Sequence, residues 1–149
     1  MGYELAQVNI GRMRGTTDSL VMKDFMDGLA EVNAAAEGAD GFVWRLTDGV
    51  GDGATGLRFW GDEWLIVNMS VWTGPEALKA YVYGEVHRPY LRRRREWFEH
   101  LQEAVTALWW VPAGERPTVR DAEERLTLLR EQGPTPEAFT LKAEYAEPA

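Results

Sequence analysis

The stretch Trp64-Leu65-Ile66-Val67-Asn68-Met69-Ser70-Val71-Trp72 decides the fold of this chain. Alternate residues of a β-strand point to opposite faces, so one face of this strand is aliphatic and the other carries Ile66, Asn68, Ser70 and Trp72. Asn68 is a polar residue in an otherwise apolar central strand, where a buried amide without partners would cost about 1 to 3 kcal/mol. We therefore expect Asn68 to form a structural hydrogen bond, to contact a second copy of the chain or to face a substrate.

Three elements precede this strand in the sequence. Tyr3 to Ile10 alternates with the period of a strand, and Phe42 to Leu46 predicts a second strand. Between them, apolar residues recur at helical spacing from an aspartate cap at Asp18 to Gly38. The glycine- and aspartate-rich segment from Asp48 to Gly56 has turn chemistry throughout and predicts a mobile hairpin loop.

Two helices are predicted directly after the central strand. The run from Thr73 to Glu76 has the sequence of a capping box, and the helix that it starts is expected to end near Gly84. Pro89 favours the first turn of a second helix, because its fixed φ and missing N–H cost nothing at that position. This second helix is expected to reach about Leu101.

The C-terminal part of the sequence predicts one more strand and one more helix. Ala107 to Val111 is the fourth strand. Thr118 with Asp121 begins a helix that carries an apolar stripe, and Gly133-Pro134 ends it. Residues 134–149 are expected to form an extended, weakly held tail. The resulting order, βαββααβα, is typical of an α+β fold with an antiparallel sheet.

The composition excludes several classes of function. The 149 residues predict one domain over residues 1–149, with a net charge of −8, seven tryptophans and no cysteine. The negative charge disfavours nucleic acid and anionic membrane as partners, and no stretch is long and apolar enough to cross a bilayer. The lack of cysteine excludes disulfides and suits a cytoplasmic location. The tryptophans suggest an interface or an aromatic-lined pocket, since the adjacent Trp109 and Trp110 must face opposite sides of one strand.

Several segments of the chain resemble a bacterial family of small domains of unknown function. They are Phe42-Val43-Trp44-Arg45-Leu46, Ser70-Val71-Trp72, His87-Arg88, Arg93-Arg94-Arg95-Glu96-Trp97-Phe98 and Leu108-Trp109-Trp110-Val111-Pro112-Ala113-Gly114. That family is similar to the antibiotic biosynthesis monooxygenases of the dimeric α/β-barrel superfamily. The resemblance implies a ferredoxin-like antiparallel sheet with helices on one face, and a homodimer in which two such sheets pack face to face.

The resemblance also implies candidate catalytic residues. In the cofactor-independent, quinone-forming monooxygenases of the superfamily, an asparagine, a tryptophan four residues later and a downstream arginine surround a phenolic substrate. Asn68 and Trp72 have this spacing and share a strand face. Arg88, Arg92 or Arg94 can supply the arginine, and Arg94 falls on a helical stripe of aromatic residues. The structural alternatives are a core or interface ring for Trp72 and a snorkelling or ion-paired side chain for Arg94.

His87 is a further catalytic candidate, because imidazole exchanges protons near neutral pH. Its alternatives are packing at a helix entry and the ligation of haem, since some relatives in the superfamily bind haem through a histidine. No other cofactor is expected, because the sequence has neither the spacing of a metal site nor a nucleotide-binding glycine loop. Substrate contacts are predicted for large aromatic and basic side chains, with packing or solvation as the alternative: Trp44, Tyr81, Arg88, Trp97 and Trp110.

The leading functional hypothesis is an enzyme that acts on an apolar or aromatic, polyketide-like small molecule without a metal or nucleotide cofactor. Cofactor-independent oxygenation is the reaction that the resemblance implies. Two alternatives stay open at this point: a haem-binding protein that uses His87, and a non-catalytic dimeric module that binds a ligand. Fold analogy is the main warrant for an enzyme, and a fold does not imply a function.

Overall fold

A computed structural model describes residues 2–49 and 53–149 of the chain. The elements are β1 (Tyr3–Arg12), α1 (Lys23–Glu37), β2 (Phe42–Arg45), β3 (Leu65–Trp72), α2 (Pro75–Val82), α3 (Arg88–Trp97), β4 (Thr106–Pro112) and α4 (Val119–Gln132). Within these described residues, no helix combines the length and apolarity that crossing a bilayer requires.

The four strands form one antiparallel sheet in the order β2-β3-β1-β4. β1 and β3 are the central pair, with Leu5 opposite Trp72 and Asn9 opposite Asn68. β4 pairs with the other edge of β1, and β2 pairs with the other edge of β3. The predicted α+β class and ferredoxin-like sheet are thus confirmed, and the stretch from Leu65 to Trp72 lies at the centre, as its sequence indicates.

The two faces of the sheet are covered by different helices. One face, here called the α4 face, carries Ala6, Val8 and Ile10 of β1, and they pack in one cluster with Ala122 and Leu126 of α4. The opposite face, here called the α1 face, carries Leu5, Gln7 and Asn9 and lies under α1, α2 and α3. Since side chains alternate along each strand, the two apolar clusters lie on opposite sides of the sheet.

Helices therefore cover both faces of the sheet, whereas the sequence predicts them on one face only. α4 begins after Thr118, as predicted, and a capping box forms there: the Thr118 hydroxyl accepts from the Asp121 amide and the Asp121 carboxylate accepts from the Thr118 amide. Its apolar stripe includes Ala122 and Leu126, both fully buried. The second packing surface that Trp109 and Trp110 indicate is supplied within the chain, because Trp109 packs on the α4 face.

Two of the other predicted helix caps, at Asp18 and Thr73, are wrong, whereas Pro89 lies in the first turn of α3 as predicted. α1 begins at Lys23 without a side-chain cap, and Asp18 instead accepts a hydrogen bond from the Thr16 hydroxyl at 2.5 Å, within a turn. α2 begins at Pro75 after Gly74, also without a side-chain cap, so Thr73 to Glu76 forms no capping box. Local side-chain bonds compete with capping, so sequence spacing alone does not decide these positions. α3 begins at Arg88 and ends at Trp97, before the predicted Leu101.

The C-terminal tail is held more firmly than its sequence suggests. Ala138 and Phe139 are fully buried, and Phe139 exchanges two backbone hydrogen bonds with Leu108 of β4. The tail therefore covers part of the β4 edge, which would otherwise present unpaired backbone groups. Part of the predicted hairpin loop, residues 50–52, lies outside the described residues.

Candidate functional site

A row of polar side chains crosses the middle of the α1 face. Asn68 of β3, Asn9 of β1 and Thr106 of β4 are register partners, and Ser70 and Gln7 lie opposite each other in the next row. Gln7 and Ser70 are buried, whereas Asn9 and Asn68 are exposed although they sit on the two central strands. Water, or a molecule in place of water, therefore reaches the centre of the sheet. We call these five residues the polar floor.

The two ends of helix α1 pack at opposite ends of the polar floor. Its N-terminal part, with Phe25, belongs to the cluster around Ile66 of β3, and its C-terminal part, with Ala36, belongs to the cluster around Trp72. Ile66 and Trp72 are about 20 Å apart along the strand, and Phe25 and Ala36 are about 16 Å apart along the helix. The distance between the two packed ends of the helix is therefore similar to the distance between the two ends of the floor.

Several side chains in the middle of α1 are only partly buried. Leu29, Val32 and Asn33 lie on the same helical stripe as Phe25 and Ala36, yet they belong to neither apolar cluster and are only half-buried. We infer a cleft between these half-buried side chains of α1 and the exposed Asn9 and Asn68 of the sheet. The cleft combines apolar side chains of α1 with polar groups of the sheet, which is the usual lining of a small-molecule site.

Hydrogen bonds fix the orientation of Asn68. Nε2 of Gln7 donates to Oδ1 of Asn68 at 2.9 Å and to Oγ of Ser70 at 2.8 Å. Because the carbonyl oxygen of Asn68 accepts from Gln7, its amide nitrogen is the end that remains available to the cleft as a donor. The hydrogen bond that the sequence requires for Asn68 exists, and the residue is nevertheless exposed.

Asn9 offers the complementary group on the neighbouring strand. Its Nδ2 donates to Oγ1 of Thr106 at 2.7 Å, which leaves its Oδ1 available as an acceptor. Cβ atoms of directly opposite residues in an antiparallel pair are about 5 Å apart. Asn68 and Asn9 therefore place a donor and an acceptor side by side, a pattern that matches a ligand with neighbouring carbonyl and hydroxyl groups.

Trp72 shares the strand face of Asn68, as predicted, but it lies outside the cleft. Its ring is fully buried, stacks on Tyr81 with centroids 5.2 Å apart and meets Phe42 edge to face at 5.5 Å. Its Nε1 donates to Oγ of Ser70 at 2.8 Å. Trp72 therefore reaches the floor only through the hydroxyl of Ser70, and a catalytic role for it stays a prediction.

Tyr81 and His87 continue this aromatic group. Their ring centroids are 5.1 Å apart, and the Tyr81 hydroxyl donates to the Val32 carbonyl at 3.1 Å. Burial raises the pKa of Tyr81 to about 12, so the phenol stays protonated at neutral pH. Nδ1 of His87 lies 3.0 Å from the Val82 carbonyl, which can only accept, so this nitrogen carries the proton. Burial lowers the pKa of His87, and the Val82 bond opposes that effect.

Arg45 is a residue of the site that sequence reasoning missed. A bulge between Phe42 and Trp44 changes the alternation of β2, so Arg45 lies opposite Ser70 on the α1 face and Trp44 lies opposite Val71 on the other face. The Arg45 side chain is only 11% exposed, and its Nε lies 3.1 Å from the Glu37 carboxylate. Its positive charge also acts on the Tyr81 hydroxyl. Strict alternation would have placed Arg45 and Phe42 on opposite faces of the sheet. The bulge is what places both of them on the α1 face.

The arginines predicted for the site lie elsewhere. Arg94 is exposed and donates to the Leu91 carbonyl of its own helix, and Arg88 donates to the Tyr83 carbonyl. The arginine that faces inward on α3 is Arg93, whose guanidinium lies 4.8 Å from the centroid of the Trp97 ring. The structure therefore does not bring Arg88 or Arg94 together with Asn68.

The remaining predicted contacts are also dispersed. Trp44 packs on the α4 face, and Trp97 lies in the cluster at the Ile66 end of the cleft. Trp110 is half-buried near Phe139 and donates from Nε1 to the Tyr145 carbonyl at 2.9 Å. Their roles as substrate contacts stay predictions. In the part of the chain that the structure describes, no group of three histidine or carboxylate side chains is close enough to hold a metal ion.

Comparison with known proteins places the chain in one family and one fold. A family model described as a domain of unknown function (DUF3291) matches residues 4–149, which confirms the predicted resemblance to such a family. The structure of PA3566 from Pseudomonas aeruginosa is 12% identical, with a TM-score of 0.51, and the match covers 74% of this chain and 94% of that chain. A comparison with curated proteins gave no match.

Two further solved structures are similar at lower scores. SnoaB from Streptomyces nogalater, a cofactor-independent oxygenase, is 18% identical with a TM-score of 0.49, and the match covers 76% of this chain and 95% of that chain. The NE2512 protein of unknown function from Nitrosomonas europaea is 10% identical with a TM-score of 0.49, and covers 78% and 96%. At these identities the likeness concerns the fold alone.

Proposed function

Because this chain belongs to the DUF3291 family, whose function is unknown, we propose a function from its cleft: it binds a small apolar or aromatic molecule between the polar floor and α1. The observation that carries this proposal is the exposure of Asn9 and Asn68 at the centre of the sheet. A purely structural pair of amides at that depth would be covered by packed side chains, as Gln7 and Ser70 are.

The groups around the cleft define the class of ligand. Nδ2 of Asn68 donates and Oδ1 of Asn9 accepts, so a ligand with a carbonyl next to a hydroxyl satisfies both. Leu29 and Val32 offer apolar contact from above. A hydroxylated aromatic ketone or quinone has this combination of polar edge and apolar body, which agrees with the aromatic, polyketide-like substrate expected from the sequence.

We further propose that the bound molecule is oxidised by oxygen without a metal or nucleotide cofactor. An enolised aromatic ketone such as anthrone loses its hydroxyl proton, and the enolate passes electrons to oxygen. One oxygen molecule then converts the ring CH₂ into a carbonyl and releases one water. Asn68 would stabilise the enolate oxygen by donating a hydrogen bond to it. The positive charge of Arg45 on the same face would also stabilise the negative enolate.

The test uses purified full-length protein, anthrone and an oxygen electrode. We expect one oxygen consumed for each anthraquinone formed, and an Asn68→Ala variant that loses at least about tenfold in rate because the donor to the enolate is gone. Gln102→Ala, which removes an exposed amide outside the cleft, is the matched control. Equal rates for Asn68→Ala and Gln102→Ala would mean that Asn68 takes no part in the reaction.

The same protein variants distinguish an oxygenase from a module that binds a ligand without catalysis. Alizarin, a dihydroxyanthraquinone, is already oxidised and can be bound but not turned over. Binding of alizarin that depends on Asn68, together with no oxygen uptake from anthrone, would keep the cleft as a binding site and eliminate the oxidation.

Association into a homodimer in the cytoplasm stays part of the proposal. α4 covers one sheet face and α1 to α3 cover the other, so two copies would have to associate through a surface outside the sheet faces. Native mass spectrometry of the protein from its own host reports the number of subunits and any retained small molecule. A retained haem that is lost in a His87→Ala variant would replace this proposal by the haem-binding alternative.

A further inference from the structure

The outer surface of α3 carries a row of arginines that the cleft does not use. With 3.6 residues per turn, Arg88, Arg92 and Arg95 fall on one side of the helix, opposite the buried Trp97. Arg14, at the end of β1, adjoins this row because its Nε donates to the Arg95 carbonyl at 2.8 Å. All four side chains are exposed. We call these four residues the arginine row.

Among the residues that the structure describes, no carboxylate pairs with the arginine row, unlike Arg93 on the Trp97 side of the same helix. Arg93 pairs with Asp24 at 2.7 Å and with Glu96 at 2.9 Å. Within residues 2–49 and 53–149, the row makes contacts only with carbonyls and one imidazole: Arg88 with the Tyr83 carbonyl, Arg95 with His100, and Arg14 with the Arg95 carbonyl. Arg92 makes no polar contact with any of these described residues.

This arrangement is unusual for a chain with a net charge of −8. Asp24, Glu96 and Glu99 are held by Arg93 or Arg12, and no ion pair joins a carboxylate of the described residues to the arginine row. Like charges at positions i, i+4 and i+7 of a helix repel each other, so the row carries a free-energy cost that an anionic partner would relieve.

We propose that the arginine row is a docking surface for an acidic segment of a partner protein. Arg88, Arg92 and Arg95 follow one another at about 4.5 to 6 Å along α3, which matches carboxylates three or four residues apart on one side of an acidic helix. The negative charge of the whole chain opposes the binding of a long polyanion such as nucleic acid. A short acidic segment interacts mainly with the nearby arginine row, because salt screens the more distant charges.

The experiment measures fluorescence anisotropy of a labelled octaglutamate peptide with the full-length protein in about 50 mM salt, where charges are weakly screened. The test variant is Arg92→Glu with Arg95→Glu, and the control is Arg120→Glu with Lys142→Glu, which changes the net charge equally at exposed positions away from α3. We expect the test variant to lose at least about tenfold in affinity and the control less than about twofold.

Three results would overturn the proposal. One is equal loss in both variants, which would mean that only the net charge matters. A second is absent binding of octaglutamate to the unmodified protein. The third is tighter binding of a labelled octathymidylate, which would make the surface one for nucleic acid. Because Arg92→Ala with Arg95→Ala removes charge without reversing it, that pair replaces the test variant if circular dichroism shows that the glutamate pair does not fold.

Discussion

Gln7 donates from Nε2 to Oδ1 of Asn68 at 2.9 Å, and this bond decides which end of the Asn68 amide faces the cleft. A Gln7→Leu variant keeps the volume but loses the donor, so Asn68 is free to turn and part of the time presents its oxygen instead. We expect affinity for alizarin to fall about fivefold to tenfold, measured by isothermal titration calorimetry, because one charge-neutral hydrogen bond contributes about 1 kcal/mol. Unchanged affinity would mean that the bond does not orient the ligand-binding group.

Ser70 accepts hydrogen bonds from both Gln7 and Trp72, so it links the cleft to the buried aromatic group. Trp72→Phe removes the indole N–H and leaves a small cavity in the core, and we expect a loss of at least about 2 kcal/mol in the free energy of unfolding by urea. Ser70→Ala removes the shared acceptor, so the double variant should cost less than the sum of the single variants. Strictly additive losses would contradict a direct bond between the two side chains.

The sequence was sufficient for the strands and for the position of Asn68, because alternation over a strand depends only on the period of the backbone. It also identified the helix start at Thr118 and Asp121, where the two bonds of the observed capping box are local. It could not reveal that α4 lies on the second face, because an apolar stripe does not say which surface it covers. Local pattern likewise could not decide the caps at Asp18 and Thr73, where alternative bonds are available.

The candidate site was only partly predictable for the same reason. Asn68 and Trp72 share a face because four residues separate them on a strand, and this needs no tertiary information. Arg45 reaches that face through a bulge, and Gln7 and Asn9 reach it through the pairing of β1 with β3. Long-range pairing of this kind leaves no local signature. The sequence therefore predicted Arg88, Arg92 or Arg94 for the site in place of Arg45.

Arg45 gives the site a testable electrostatic property. A cation near the bound hydroxyl favours its ionised form, so Arg45→Met should raise the pKa of bound alizarin by about 1 unit, read from its change in colour on ionisation. Glu37→Gln removes the carboxylate that pairs with Arg45 and should lower that pKa. A pKa of bound alizarin that is the same in both variants would place the ligand out of reach of Arg45.

His87 predicts a dependence of stability on pH. Burial holds its pKa in the folded protein below the ordinary value near 6.5, so the unfolded chain binds the proton more readily. The stabilising effect of the neutral imidazole is therefore complete above about pH 6.5 and is lost as the pH falls toward the folded-state pKa. Urea midpoints of the unmodified protein should drop between about pH 7.5 and pH 5.5, and His87→Gln should reduce this drop.

The matched control for this prediction is His100→Gln, since His100 is the second of the two histidines and is exposed. If His100→Gln and His87→Gln have the same effect, the burial of His87 is not the cause of the acid sensitivity.

The most direct test of the central claim observes the side-chain amide of Asn68 itself. In a ¹H–¹⁵N correlation spectrum, the Asn68 NH₂ signals are identified by their absence in Asn68→Ala, and alizarin is then added to the unmodified protein. We predict that these signals move together with those of Asn9, because both amides face the cleft. If alizarin shifts only signals outside the polar floor, such as those around His87, the ligand does not occupy this cleft and the proposed function is wrong.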